Sequence, residues 1–100
     1  MILVSYDIES DRLRMRIAKT LLAAGMHRVQ YSVFMGTLDG SEESKLRTEM
    51  AKIPQSTEFV PQDSVMLIPL HDYSLQHIEL IGTTPQRWDE ITGETHTLIL

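Results

Sequence analysis

The chain of 100 residues contains no cysteine. That excludes a disulfide framework, a thiolate metal site and a cysteine nucleophile. No stretch approaches the roughly 18 consecutive apolar residues of a membrane span. The opening has no basic n-region, and its apolar run is too short for a signal peptide, so the expected location is the cytoplasm. None of the four histidines stands in a metal-ligand motif. There is no glycine-rich phosphate loop, no internal repeat and no low-complexity segment. The length fits one domain, and such a chain buries only roughly 65% of its unfolded surface. Spare apolar surface on a chain of this size favours oligomers.

Acidic residues are missing from one long segment. Between Arg12 and Leu38 there is none, while Arg12, Arg14, Arg16, Lys19 and Arg28 all lie there, so the segment carries +5. The remainder, with 4 basic and 14 acidic residues, carries −10. The overall charge of −5 speaks against a nucleic-acid binder, and its distribution speaks for one local electropositive patch. The alternative is a solvated helix face whose arginines pair with acids elsewhere.

The stretch Met1 to Ile8, MILVSYDI, organises what is present. Side chains alternate along a strand, so Ile2, Val4 and Tyr6 share one face and Leu3, Ser5 and Asp7 the other. Asp7 is the odd residue, at the C-terminal end of a strand that is apolar on both faces up to Val4. Strand ends of this kind often carry chemistry, and they also often open turns rich in aspartate.

Residues 10 to 25 read as a helix capped by Ser10, with Leu13, Ile17, Leu21 and Ala24 as its apolar stripe and Gly25 closing it. Arg12, Arg16 and Lys19 form a second, exposed stripe. His27 to Leu38 alternates as one bent strand or a tight pair of short ones. Ser41 to Ile53 reads as a second helix capped by Ser41 and stopped by Pro54. Ser64 to Leu70 has the composition of a central strand, His71 to Ser74 of a turn, and residues 76 to 82 of a further strand. The tail from 83 to 100 is polar and ends in a strand-prone hexamer at 95 to 100, free to pair within the chain or with a second copy. The order is that of an α+β, ferredoxin-like (split βαβ) domain over residues 1–82, with an extra C-terminal strand in 83–100. Two helices cover one face of the sheet. The face bearing Leu3, Ser5 and Asp7 has no cover of its own, which suggests a symmetric homodimer.

Val4-Ser5-Tyr6-Asp7-Ile8 followed by Asp11-Arg12, then Arg28-Val29-Gln30-Tyr31-Ser32-Val33-Phe34 with Gly36, then Asp63-Ser64-Val65 running into Ile68-Pro69-Leu70, resemble three signatures in register. They are similar to those of the small CRISPR-associated adaptation proteins, the dimeric partners of the spacer-acquisition integrase. The resemblance spans residues 2 to 82 and implies that the 27–38 segment is a strand pair. It further implies a metal-dependent endonuclease acting on RNA or DNA, with Asp7 of each protomer sharing one Mg²⁺ across a two-fold axis. A purely structural subunit that bridges DNA and docks the integrase is the alternative role, ahead of a toxin-type ribonuclease or a small-ligand module.

On this reading Asp7 is the catalytic and metal-binding residue. Arg12, Arg14, Arg16 and Arg28 contact phosphates, with Gln30 and Tyr31 as further candidates; the alternatives are that Tyr31 packs in the core or an interface and that Tyr6, which would orient Asp7, is simply buried. Mg²⁺ retains most of its waters and needs only one or two carboxylates besides substrate phosphates, which one position per protomer supplies. Met35 stands where the family often has an acidic residue, so a group that would support the metal ligand is missing.

Overall fold

The computed structural model describes residues 1–92 and 97–99. Strand β1 (Ile2–Asp7) is followed by helix α1 (Asp11–Ala23), strands β2 (His27–Gln30) and β3 (Val33–Gly36), helix α2 (Gly40–Ala51) and strand β4 (Ser64–Pro69). These strands form one antiparallel sheet in the order β2-β3-β1-β4. The two βαβ halves interleave in the ferredoxin-like manner, with β1 in the interior. The segment from 27 to 38 is therefore a hairpin, turning at Tyr31 and Ser32, with a register shift between Arg28 and Gln30. Arg28 pairs with Phe34 before that shift and Gln30 with Val33 after it.

Local signals account for the helix ends. Ser10 Oγ accepts the Leu13 N–H at 3.2 Å, and Gly25, at φ +86°, ends α1 with the Gly25 and Met26 N–H groups on Leu22 and Leu21 carbonyls. The cap of α2 is Asp39, not Ser41. Asp39 Oδ1 accepts the Glu42 N–H at 2.7 Å, and Glu42 Oε1 accepts the Asp39 N–H at 3.0 Å. This reciprocal box satisfies two orphan donors, more than a lone serine cap achieves, so it sets the boundary. The helix also stops sooner than residue 53, and Pro54 falls in a short 3₁₀ turn over Ile53–Gln55.

Both helices pack on one face of the sheet. Ile2, Val4, Tyr6 and Phe34 meet Leu13, Ile17 and Leu21 of α1 and Leu46 and Met50 of α2 in a single buried cluster. Beyond β4 the chain forms a one-turn helix α3 (Asp72–Gln76) where a turn is expected. Strand β5 (Glu79–Ile81), helix α4 (Trp88–Thr92) and strand β6 (Thr97–Ile99) follow. Strand β6 pairs parallel to β5 in a separate two-stranded sheet. Of the strand-prone hexamer, residues 95, 96 and 100 lie outside the described residues.

The second face of the main sheet is not wholly uncovered. Trp88 and Ile91 of α4 are buried there with Met35, against partly buried Leu3, Val29, Leu70 and Leu80. The tail thus supplies a second, smaller core under the Leu3 end of β1. Replacing Trp88, 4% exposed, by alanine is expected to lower the unfolding free energy by about 3 kcal/mol in a denaturant titration. Tyr73→Ala, at a ring left 74% exposed, serves as the comparison and should shift the midpoint far less. Equal midpoints for Trp88→Ala and wild type would show that α4 does not hold this face.

Candidate metal and nucleic-acid site

Asp7 is exposed at the end of β1, opposite Ser64 of β4. Antiparallel register puts directly opposed residues on the same face, so Ser64, Met66 and Ile68 share a surface with Asp7, Ser5 and Leu3. Trp88 closes the Leu3 end of that surface. Toward Asp7 it stays open, and Met66 remains 56% exposed. Tyr6, the next residue back, points the other way into the core, 5% exposed and stacked on Phe34 with ring centroids 6.3 Å apart.

The turn that follows Asp7 is clamped from both sides. Asp63, itself only 8% exposed, accepts the Glu9 N–H at 3.0 Å with Oδ1 and the Val60 N–H at 3.1 Å with Oδ2. Arg14 Nη1 donates to the carbonyls of Ile8 at 2.7 Å and Glu9 at 2.8 Å, and Nη2 pairs with Asp11. A carboxylate holds the donor side of the turn and a guanidinium its acceptor side. Ile8 adds a buried anchor between them. The backbone immediately after Asp7 is thereby held through its own N–H and carbonyl groups.

The structure separates the other predicted residues into groups. Arg14, Arg28, Tyr6 and Tyr31 line one groove between α1 and the β2–β3 hairpin, on the helix side of the sheet. Arg28 lies 5.1 Å from the centre of the Phe34 ring. Arg12 and Arg16 are exposed and do not line that groove, and Arg12 sits 3.7 Å from Glu58. Gln30 lines a different hollow, beside Met35 and Trp88. The Tyr31–Ser32 turn and Asp7 occupy the same end of the sheet, since the Tyr6 N–H donates to the Ser32 carbonyl at 3.0 Å. Met35, 2% exposed, is packed on Trp88. A carboxylate there would be buried against an indole, which explains why an apolar side chain suits this chain.

Two contributors escape sequence reasoning. Asp63 shows only as part of a motif, and its role depends on a contact 54 positions away in the chain. Lys19, read as part of a solvent stripe, lines the same groove as Arg28.

Among the described residues no three His, Cys, Asp or Glu side chains gather into a metal site. On the open face of the main sheet, the end of β1 offers one exposed carboxylate, Asp7. That donor set suits Mg²⁺ when a second copy and substrate phosphates complete the coordination, and it does not suit a metal that demands a full protein cage.

Comparison with known proteins gives the class. The family model described as CRISPR associated protein Cas2 matches residues 1–78. A curated relative from Synechocystis sp., named CRISPR-associated endoribonuclease Cas2 3, is 39% identical over 82 residues, covering 82% of this chain and 84% of that protein. A relative from Korarchaeum cryptofilum, named CRISPR-associated endoribonuclease Cas2, is 33% identical over 81 residues, covering 81% and 83%. A crystal structure of a hypothetical protein from Thermus thermophilus superposes with a TM-score of 0.66 at 28% identity, covering 84% of this chain and 92% of that one. The chain belongs to the CRISPR-associated Cas2 family.

The clamp and the open arginines make separable predictions. Arg14→Ala should cost about 1–2 kcal/mol of stability, because two carbonyls lose a charged donor. It should change the salt slope of nucleic-acid binding less than Arg16→Ala does, as measured by titration over a range of ionic strength. The reverse pattern would make Arg14 chiefly a phosphate contact.

Proposed function

We propose that this protein is a Mg²⁺-dependent endonuclease that works as a homodimer, with Asp7 of each protomer as the metal ligand, and that supports spacer acquisition together with the adaptation integrase. The observation that carries the reading is the placement of Asp7. It is an exposed carboxylate at the end of β1, just before a turn clamped by Asp63 and Arg14, at the open end of the sheet face. Exposed Met66, opposite Ser5, and Ile68 further along the same face offer the surface that a second copy would bury, and a two-fold axis near Asp7 would bring two of its carboxylates together. The relatives' names, which call them endoribonucleases, support a phosphodiester hydrolase.

Mg²⁺ in such a site supplies a polarised phosphoryl oxygen and a water of lowered pKa. The chain's own part is positional. Pairing with β4 holds the Asp7 backbone and the clamp holds the turn after it, and cationic side chains on α1 and β2 hold the phosphates near the same end of the sheet.

A second reading is favoured by one observation: Asp7 has no acidic companion of its own chain in a metal cluster among the described residues. On that reading the dimer bridges DNA and docks the integrase without chemistry.

Asp7→Ala separates the two. The nuclease reading expects cleavage of RNA or DNA to fall by at least about 100-fold, chelation of divalent ions to do the same to wild type, and the sedimentation coefficient to stay that of a dimer. Cleavage at the wild-type rate by a purified Asp7→Ala dimer would remove Asp7 from catalysis. Spacer insertion scored in the same variant then shows whether the bridging role stands without it.

A further inference from the structure

At the Asp7 end of the open sheet face the side chains change character. Leu3, Met66 and Ile68 are apolar, whereas Ser5, Asp7 and Ser64 carry oxygen. Strand positions favour β-branched and aromatic side chains, and neither serine is one. Ser64 stands directly opposite Asp7 in the register of β1 and β4, and both residues are exposed. Residues opposed in this way point to the same side of the sheet, with Cβ atoms about 4.5–5.5 Å apart. Among the described residues, neither the Asp7 carboxylate nor the Ser64 hydroxyl takes part in a hydrogen bond or ion pair. Their backbones are well held. Asp63, the residue before Ser64, accepts the Glu9 and Val60 N–H groups, which ties the start of β4 to the turn after Asp7.

We propose that Ser64 is a positioning residue of the metal site, whose hydroxyl oxygen accepts a hydrogen bond from a water retained by an ion on Asp7. The inference rests on the metal reading of Asp7 above and adds a second residue to it. A hydrated divalent ion held by one carboxylate per chain keeps several waters, and those waters are its outer hydrogen-bond donors. A fixed acceptor for one of them limits how the ion can turn on its carboxylate, and outer partners of this kind tune metal affinity. The hydroxyl one strand away from Asp7, on a backbone tied to the same turn, is placed for that task. Two plainer roles make no use of the oxygen. A small side chain opposite Asp7 keeps the carboxylate hydrated, and alanine would do so as well as serine. A serine at a strand end is also readily solvated. The hydroxyl, rather than the size of the residue, is therefore what the proposal stands on.

The test is calorimetric binding of Mn²⁺, which takes the same oxygen donors, to the purified protein with no nucleic acid present. Ser64→Ala should weaken Mn²⁺ binding about tenfold, and Ser64→Val should do the same. Ser64→Thr keeps the hydroxyl and should bind like wild type. Threonine and valine have nearly the same shape and both suit a strand, so the difference between them reads the hydroxyl and not packing or folding. Ser5→Ala removes a hydroxyl from the same face at a position not opposite Asp7, and should also bind like wild type. The proposal is overturned if Ser64→Ala binds like wild type, if Ser64→Thr loses as much as Ser64→Val, or if Ser5→Ala loses as much as Ser64→Ala. Circular dichroism and sedimentation of each variant check fold and assembly. Asp7→Ala in the same assay tells two failures apart. Wild-type Mn²⁺ binding by Asp7→Ala overturns the metal reading and this inference with it. Loss in Asp7→Ala beside full binding in Ser64→Ala overturns this inference alone.

Discussion

Backbone pairing along both edges of β1 is the constraint on which the rest depends. Six consecutive residues pair with β4 and four with β3. Because side chains alternate, this register decides at once which residues enter the helix-side core and which face outward. Ile2, Val4 and Tyr6 are buried beneath α1 and α2, and Leu3, Ser5 and Asp7 fall on the opposite face. A slip of one residue would put Asp7 into the core and Val4 into the open, at a cost of several kcal/mol for the buried carboxylate alone. The catalytic candidate and the hydrophobic core are thus two consequences of one register.

That register also explains why the second sheet face has two halves. Near the N-terminus of β1, Leu3 and Met35 are large and apolar, and Trp88 and Ile91 return from far along the chain to cover them. Toward Asp7 the residues shrink to Ser5 and Ser64, and Met66 opposite Ser5 stays accessible. An indole over the polar end would have to desolvate a carboxylate, whereas over Met35 it meets a soft thioether. Burial by the chain's own tail and openness at Asp7 are therefore compatible with each other, and Met35 belongs to the first of these regions.

Much of this was legible from local pattern. The alternation of β1, the apolar stripe of α1 with Ser10 and Gly25 at its ends, and the α+β order all rest on contacts within a few residues or on the period of the element. Position 39 shows how such reading fails. Asp39 and Ser41 are both good caps, and only the reach of Glu42 back to Asp39 decides between them. Residues 83–92 carry no period, so the burial of Trp88 could not be read from them; it comes from a partner more than 50 residues earlier. Counting charges likewise treats each arginine alike. Arg14 is bound to carbonyls of the turn before its own helix, and that depends on the turn's path, which the residue types do not state.

The acidic balance of the whole chain is consistent with a nucleic-acid role because the charges are not mixed. The segment free of acids covers α1 after Asp11 and the β2–β3 hairpin, and these two elements flank the same groove. The acidic residues lie elsewhere along the chain, and on α2 Glu43 and Glu49 already pair with Arg47 and Lys52. Ionic screening at physiological salt confines a surface charge to about 8 Å. A phosphate at Arg28 or Lys19 therefore responds to the cations that line its groove more than to the distant sum. The fold sets the local sign of the surface by bringing β2 alongside α1 while Glu43 and Glu49 of α2 pair with Arg47 and Lys52.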